Sequence, residues 1–391
     1  MNEHPWARAG LISLGVGLAV AGAGAAVGVA ADRLAGGRPV LPQLGIRPGK
    51  DDEDYGEVHI PGTEVTADDG TILHVEVEEP DPAHSGGSHP PLTVVLCHGY
   101  ALSMDSWHFQ RKALRGRYRL VLWDQRGHGR SGTGPLGSAT IDQVGSDLGA
   151  VLDAVAPAGP LVLVGHSMGG MTIMALADQR PELFTERVLG VGLVSTSAGG
   201  LSDVDFGLTP LGRLVQQLAP GTLRVLTRVP RLVEQGRRLG SEIEAVFVRH
   251  YSFGSPVSRE LLRFTGAMIS GTQLGVIGDF LPTFSDHDRR QALAALLGRE
   301  VLVIVGDHDL MTPSSHSVAI VELLPHAEHV VVRDGGHLIM LEHPEVVTGH
   351  LTELIERSVR SLDSGHHHGR LLPSVRRTVT SLRHHRHDGA A

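Results

Sequence analysis

Short, almost continuous apolar runs recur through the middle of this chain. Their spacing predicts strands at about 92–97, 119–123, 161–165, 190–195, 301–305 and 329–333, with helical stretches between most of them. Strands apolar on both faces and separated by helices build a mostly parallel sheet through right-handed β-α-β crossovers. Ahead of them, residues 64–66 and 72–78 flank Asp69-Gly70, a hairpin signal. Between Ser195 and about Arg290 the alternation stops, and the pattern turns helical over 211–218, 223–239, 241–251 and 259–269. The division that follows is an N-terminal apolar segment (1–35), a linker (36–62), a core in two parts (63–195 and 293–360), a helical cap or lid between them (196–292) and a tail (361–391).

From Ala9 to Ala31 no residue is charged. As a helix this run matches the roughly 30 Å of a bilayer core, which predicts a membrane anchor. A cleaved signal, with Ala-x-Ala sites at Ala21-Gly-Ala23 and Ala23-Gly-Ala25, is the competing reading and would make the protein secreted. Arg33, Arg38, Arg47 and Lys50 follow the run against Arg8 before it, so the positive-inside rule points to a cytoplasmic location for the domain that follows. Residues 36–62, rich in Gly and Pro with an acidic run at 51–54, read as a spacer. The His- and Arg-rich tail reads as disordered, with a short basic helix over 371–382 as the alternative.

Composition narrows the picture little further. At 391 residues the chain fits one α/β core with an insertion, and 41% hydrophobic residues suffice to bury it. A net charge of −9 without a central basic stripe argues against nucleic acid as a partner. The lone Cys97 rules out an intramolecular disulfide and reads as a buried strand residue.

The chemistry centres on Gly165-His-Ser-Met-Gly169, a G-x-S-x-G pattern between a predicted strand and a predicted helix. So sharp a turn exposes the serine Oγ, and the free N–H groups of the new helix face any oxyanion forming beside it. A serine hydroxyl needs a base, and the base an orienting acid. Two later segments supply candidates: Gly306-Asp-His-Asp309 with Pro313, and Arg333-Asp-Gly-Gly-His337. Both follow predicted strands, where open α/β sheets place their sites. Asp307, Asp309 and Asp124 all remain candidates for the acid on this ground. The clusters Asp307-His308-Asp309 and His366-His-His368 lack the spaced ligand pattern of a zinc site, so no metal is expected.

From about Glu64 to Arg360 the chain resembles the α/β-hydrolases of the esterase/lipase-like type. Val94-Val-Leu-Cys-His-Gly-Tyr100 resembles the family's H-G oxyanion loop, and Trp123-Asp-Gln-Arg-Gly-His-Gly-Arg-Ser131 its D-x-R-G-x-G-x-S segment. The serine, aspartate and histidine segments follow in the family's order. The resemblance implies an eight-stranded-type sheet, mostly parallel, with helices on both faces and a helical cap. It implies Ser167 as nucleophile, His337 as base and Asp309 as acid, by its spacing to Gly306 and Pro313. The oxyanion hole falls to the backbone N–H groups of Tyr100 and Met168. Asp124, His98, His128 and His166 then read as bracing groups, and His308 has no assignment.

The expected activity is hydrolysis of carboxylic esters through an acyl-enzyme, on a small-molecule, mainly apolar acyl ester, with no cofactor. Serine at 167 argues against epoxide hydrolase and haloalkane dehalogenase chemistry. The same triad also serves thioesters, C–C cleavage, acyl transfer and cofactor-free, haloperoxidase-like chemistry. A non-catalytic ligand-binding protein on this fold is the alternative of a different class. Leu208, Leu211, Leu214, Leu218, Phe247, Phe253, Phe264 and Met268 are the cap residues available for an acyl pocket, each read first as packing among cap helices.

Overall fold

The computed structural model describes residues 47, 51–56, 58–84, 92–201, 248–363 and 376–379. The strands are β1 (Thr63–Thr66), β2 (Ile72–Glu78), β3 (Thr93–Cys97), β4 (Arg119–Trp123), β5 (Leu161–His166), β6 (Val188–Val194), β7 (Glu300–Gly306), β8 (Glu328–Val332) and β9 (Arg376–Val379). They form one sheet in the order β1-β2-β4-β3-β5-β6-β7-β8-β9. β1 pairs antiparallel with β2, and β2 with β4; the other pairings are parallel. The predicted hairpin is present: Asp69 accepts from Thr71 N–H at 3.0 Å, and Gly70 takes φ +85°.

Alternation along the strands feeds two apolar layers, one on each side. Val95, Val121, Leu163, Val191 and Val303 belong to one layer, and Val94, Leu120, Val162 and Leu302 to the other. The helices are α1 (His108–Leu114), α2 (Ile141–Val155), α3 (Met168–Gln179), α4 (Pro181–Glu186), α5 (Arg259–Gly271), α6 (Leu274–Ser285), α7 (Ser314–Leu323), α8 (Ile339–Glu342) and α9 (Pro344–Asp363). Thr140 caps α2 by accepting from Gln143 N–H at 3.1 Å. Trp107 is fully buried in the second layer, with Phe109 packed beside it.

The insertion follows β6, as expected from its place in the chain. Its predicted helices at 211–218 and 223–239, and residues 241–247 of the one at 241–251, lie outside the described residues; residues 248–251 are helical. The helix expected at 259–269 is α5. An unexpected one, α6, contains Gly275, Gly278 and Pro282, which read as breakers. Burial of Val276, Ile277, Phe280, Leu281 and Phe284 outweighs those local preferences.

Two expectations need correction. The linker over 36–62 is not a free spacer in its described part. Asp51 accepts from the Ser258 hydroxyl at 2.6 Å, Glu53 lies 2.7 Å from His108 Nε2 and also pairs with Lys112, and Arg47 N–H donates to Val257 O at 2.9 Å. The tail over 361–391 is not wholly disordered, and residues 376–379, within the expected basic helix over 371–382, are a strand. α9 runs on to Asp363, and backbone pairing with β8 draws 376–379 into the sheet as β9. Residues 9–31 lie outside the described residues. Among those described, no helix is long and apolar enough to cross a membrane.

Candidate active site

β5 ends at His166 and α3 begins at Met168, so Ser167 alone makes the turn. It does so at φ 51° and ψ −115°, a strained conformation for a residue with a side chain. Backbone hydrogen bonds hold it there. Its N–H donates to Val194 O at 2.9 Å, and its carbonyl accepts from Gly170 N–H at 3.0 Å and from the Thr196 hydroxyl at 2.7 Å. Glycine is required next to it. A Cβ at Gly169 would stand 2.2 Å from Cys97 O, and one at Gly165 2.4 Å from Gly169 O. The helix start therefore presses directly on the end of β3.

β7 and β8 end side by side, Gly306 opposite Val332. The loops beyond them interlock through Asp307 N–H to Val332 O (3.0 Å) and His308 N–H to Gly335 O (2.9 Å). This brings Asp309 to His337, with Nδ1 3.0 Å from each carboxylate oxygen. A carboxylate only accepts, so Nδ1 carries the proton and Nε2 is left with its lone pair, the tautomer a base requires. Asp309 also accepts from Met311 N–H, Thr312 N–H and the Thr312 hydroxyl, each at 2.9 Å. Burial pushes its carboxyl up, but His337 and these donors outweigh that and hold it below the ordinary value.

Asp307 and Asp124 lie elsewhere. Asp307 faces His308 at 2.7 Å, and both are well exposed. Asp124 braces its turn by accepting from Arg130 N–H (2.9 Å) and Met104 N–H (2.8 Å), and burial raises its pKa. His166 ties the serine turn to the histidine loop, donating from Nε2 to His337 O at 3.0 Å, with the two rings 4.8 Å apart.

The residues of the loop after β3, expected to hold an oxyanion, are placed by burial. Gln125 N–H donates to His98 Nε2 at 2.9 Å, so Nδ1 carries the proton and donates to Gly99 O at 2.7 Å. Burial keeps this imidazole neutral, with its pKa lowered to about 4. Leu102 N–H also donates to Gly99 O, at 3.2 Å. In a trans peptide the N–H points opposite to the C=O, so two bonds on Gly99 O fix the direction of Tyr100 N–H. Met168 opens α3, so its N–H has no carbonyl partner within the helix. The Cys97 thiol is fully buried, which pushes its pKa up to about 12.

The Tyr100 hydroxyl donates to Ile277 O at 2.5 Å, and its ring meets Phe284 edge-on at 5.1 Å. This docks α6 of the insertion over the loop that follows β3. Of the cap residues weighed for an acyl pocket, Phe253 and Met268 are buried in the second apolar layer and Phe264 stacks on Tyr55. The other five lie outside the described residues.

Sequence reasoning missed Thr312, whose hydroxyl donates to the Asp309 carboxylate, and Glu342. The Glu342 carboxylate accepts from Gly336 N–H at 2.6 Å, the Ser255 hydroxyl at 2.7 Å and Gly254 N–H at 3.2 Å, joining the histidine loop to the cap. Threonine three residues after Asp309 was the signal available for Thr312; Glu342 had none. Among the described residues, Glu328, His350 and Glu353 also converge, at the start of β8. Arg357 already pairs with Glu328 there at 3.0 Å.

The sequence profile described as the alpha/beta hydrolase fold matches residues 93–344. The dihydrolipoyllysine-residue acetyltransferase component of the acetoin cleaving system of Pseudomonas putida is 25% identical over 270 residues, covering 68% of this chain and 63% of that protein. This chain thus spans less than two thirds of that relative. Monoacylglycerol lipase of Mycolicibacterium smegmatis is 27% identical over 267 residues, covering 66% of this chain and 84% of the lipase. A solved thermophilic esterase from Thermogutta terrifontis aligns at a TM-score of 0.56 and 25% identity, covering 76% of this chain and 99% of the esterase. With its sheet order, its strained serine turn and a profile match across most of the described core, the chain belongs to the α/β-hydrolase fold family.

Proposed function

We propose that the chain is a serine hydrolase cleaving small-molecule, mainly apolar carboxylic esters through an acyl-enzyme. The observation that carries this reading is His337 Nδ1 lying 3.0 Å from both oxygens of the buried Asp309. Ser167 is the nucleophile, His337 the base and Asp309 the orienting acid.

Ser167 Oγ attacks the ester carbonyl carbon while His337 Nε2 takes its proton. The carbonyl oxygen becomes an oxyanion that accepts from the N–H groups of Tyr100 and Met168. Asp309 stabilises the imidazolium without itself taking the proton. His337 then protonates the leaving alkoxide, the C–O bond breaks and the alcohol departs. Water repeats the sequence on the acyl-serine and releases the acid. The esterase and lipase names among the relatives support the substrate class.

A fluorophosphonate is expected to add one phosphonyl group to Ser167, read by peptide mass, and none to Ser167→Ala. That variant, folded, should lose turnover of short p-nitrophenyl esters by several orders of magnitude. Wild-type-like hydrolysis by it would overturn the assignment. The charge-free run from Ala9 to Ala31 supports membrane anchoring as part of the reading. The full chain should then resist carbonate extraction from membranes, and an N-terminus mapped inside 21–35 would show cleavage instead.

A further inference from the structure

Two separate elements carry the proposed oxyanion donors. Tyr100 follows β3, and Met168 opens α3. Gly169 lets these elements touch, since a Cβ there would stand 2.7 Å from His98 O. Contact alone does not set their spacing to the few tenths of an ångström that a hydrogen-bonded pair of donors requires.

The side chain of Gln125 lies across the gap. Its Nε2 donates to His98 O at 2.5 Å, and its Oε1 accepts from the Thr172 hydroxyl at 2.6 Å. A carbonyl can only accept, so the amide has one workable orientation. Thr172 sits one turn into α3, its hydroxyl also 2.9 Å from Met168 O. Gln125 N–H meanwhile holds His98 Nε2 at 2.9 Å. His98, Gln125 and Thr172 are all fully buried, so none of these bonds competes with bulk water.

We infer that Gln125, together with Thr172, is a positioning residue that sets the distance between the two oxyanion donors, tying the Tyr100 loop to the first turn of α3. The inference rests on the oxyanion hole of the proposed function. Its consequence is specific to charge development. A loosened tie leaves the neutral ester bound as before but weakens the hold on the tetrahedral oxyanion, which appears only after attack.

The experiment uses the full chain and the variants Gln125→Met, Thr172→Val and Thr172→Ser. Gln125→Met removes both arms and Thr172→Val only the one to Thr172, each with little change in shape, and Thr172→Ser keeps the hydroxyl. With a p-nitrophenyl ester, Gln125→Met and Thr172→Val are expected to lose roughly 10- to 100-fold in kcat, with KM changed by less than about twofold. Affinity for an aryl trifluoromethyl ketone, which forms the oxyanion on Ser167, should fall in proportion to kcat/KM. Thr172→Ser should restore both. A merely structural role would lower Tm in the first two variants and leave ketone affinity per folded molecule unchanged; that result overturns the inference. So does a rise in KM with kcat intact. Failure of the wild type to take up fluorophosphonate at Ser167 would instead remove the proposed function and the inference with it.

Discussion

Tyr55 stacks on Phe264, the ring centroids 4.9 Å apart and the planes 26° from parallel. The same tyrosine meets Phe109 edge-on at 5.9 Å, so one residue of the linker spans cap helix α5 and core helix α1. Its hydroxyl donates to Asp51 at 2.8 Å, and Asp51 in turn accepts from Ser258 at the start of α5. Burial, followed by the Asp51 carboxylate, drives the Tyr55 phenol well above its ordinary pKa, so it stays a donor across the working range. Tyr55→Ala should cost about 2 kcal/mol and speed amide exchange in 259–271 more than in the central strands. Equal exchange in both regions would show that the segment does not hold the cap.

The acid can be tested by exchange of one atom. Asp309→Asn keeps the shape but favours the wrong imidazole tautomer, and kcat should fall by about 10⁴-fold. Asp307→Asn, at an exposed carboxylate facing His308, should stay within about twofold of wild type in the same ester assay. Comparable losses in both would require a different acid.

Buried histidines make the fold acid-sensitive before most carboxylates titrate. Burial lowers the pKa of His98 to about 4, of His128 to about 3 and of His287 to about 4. Unfolded, each titrates near 6.5. Because the folded values are the lower ones, their contribution is complete above about pH 6.5 and is lost as pH falls towards 4. Each is expected to cost on the order of 2 kcal/mol by pH 5. Urea midpoints measured between pH 7.5 and 4.5 should fall steadily, and a flat profile would mean these rings admit protons in the fold.

Glu342→Gln tests whether the cap helps to place the base. One carboxylate oxygen becomes an NH2 that must face N–H and O–H donors, at a cost of about 1–3 kcal/mol. Because Gly336 N–H is one of those donors and His337 is the next residue, kcat should drop roughly 10-fold as well. A lower Tm with unchanged kcat would confine Glu342 to holding residues 254 and 255.

The strands were readable because β3 to β7 are runs of aliphatic residues buried on both faces, a pattern that local sequence carries by itself. The serine turn was readable for a similar reason: its glycines are adjacent to it in the chain. Asp309 and His337 could be ordered by their places after β7 and β8, although choosing Asp309 over Asp307 drew on family spacing. What escaped depends on distant partners. Asp51 and Glu53 look solvated within their acidic run, yet Ser258, His108 and Lys112 meet them from across the fold. Helix α6 carries local signals against itself and forms because its apolar residues pack beside Met168 and Met171. Gln125 lies inside a recognised motif, but nothing in the chain's order points it at Thr172.

The backbone at Ser167 has a consequence for how the protein trades robustness against activity. A side chain at φ 51° and ψ −115° costs on the order of 1–3 kcal/mol, a cost that glycine escapes. Ser167→Gly should therefore unfold at a higher temperature than Ser167→Ala, and its gain over the native chain should approach that strain. The position where the proposed chemistry needs a hydroxyl is one where thermal endurance favours no side chain. Selection for heat resistance alone, with turnover left unmonitored, would erode the proposed nucleophile first.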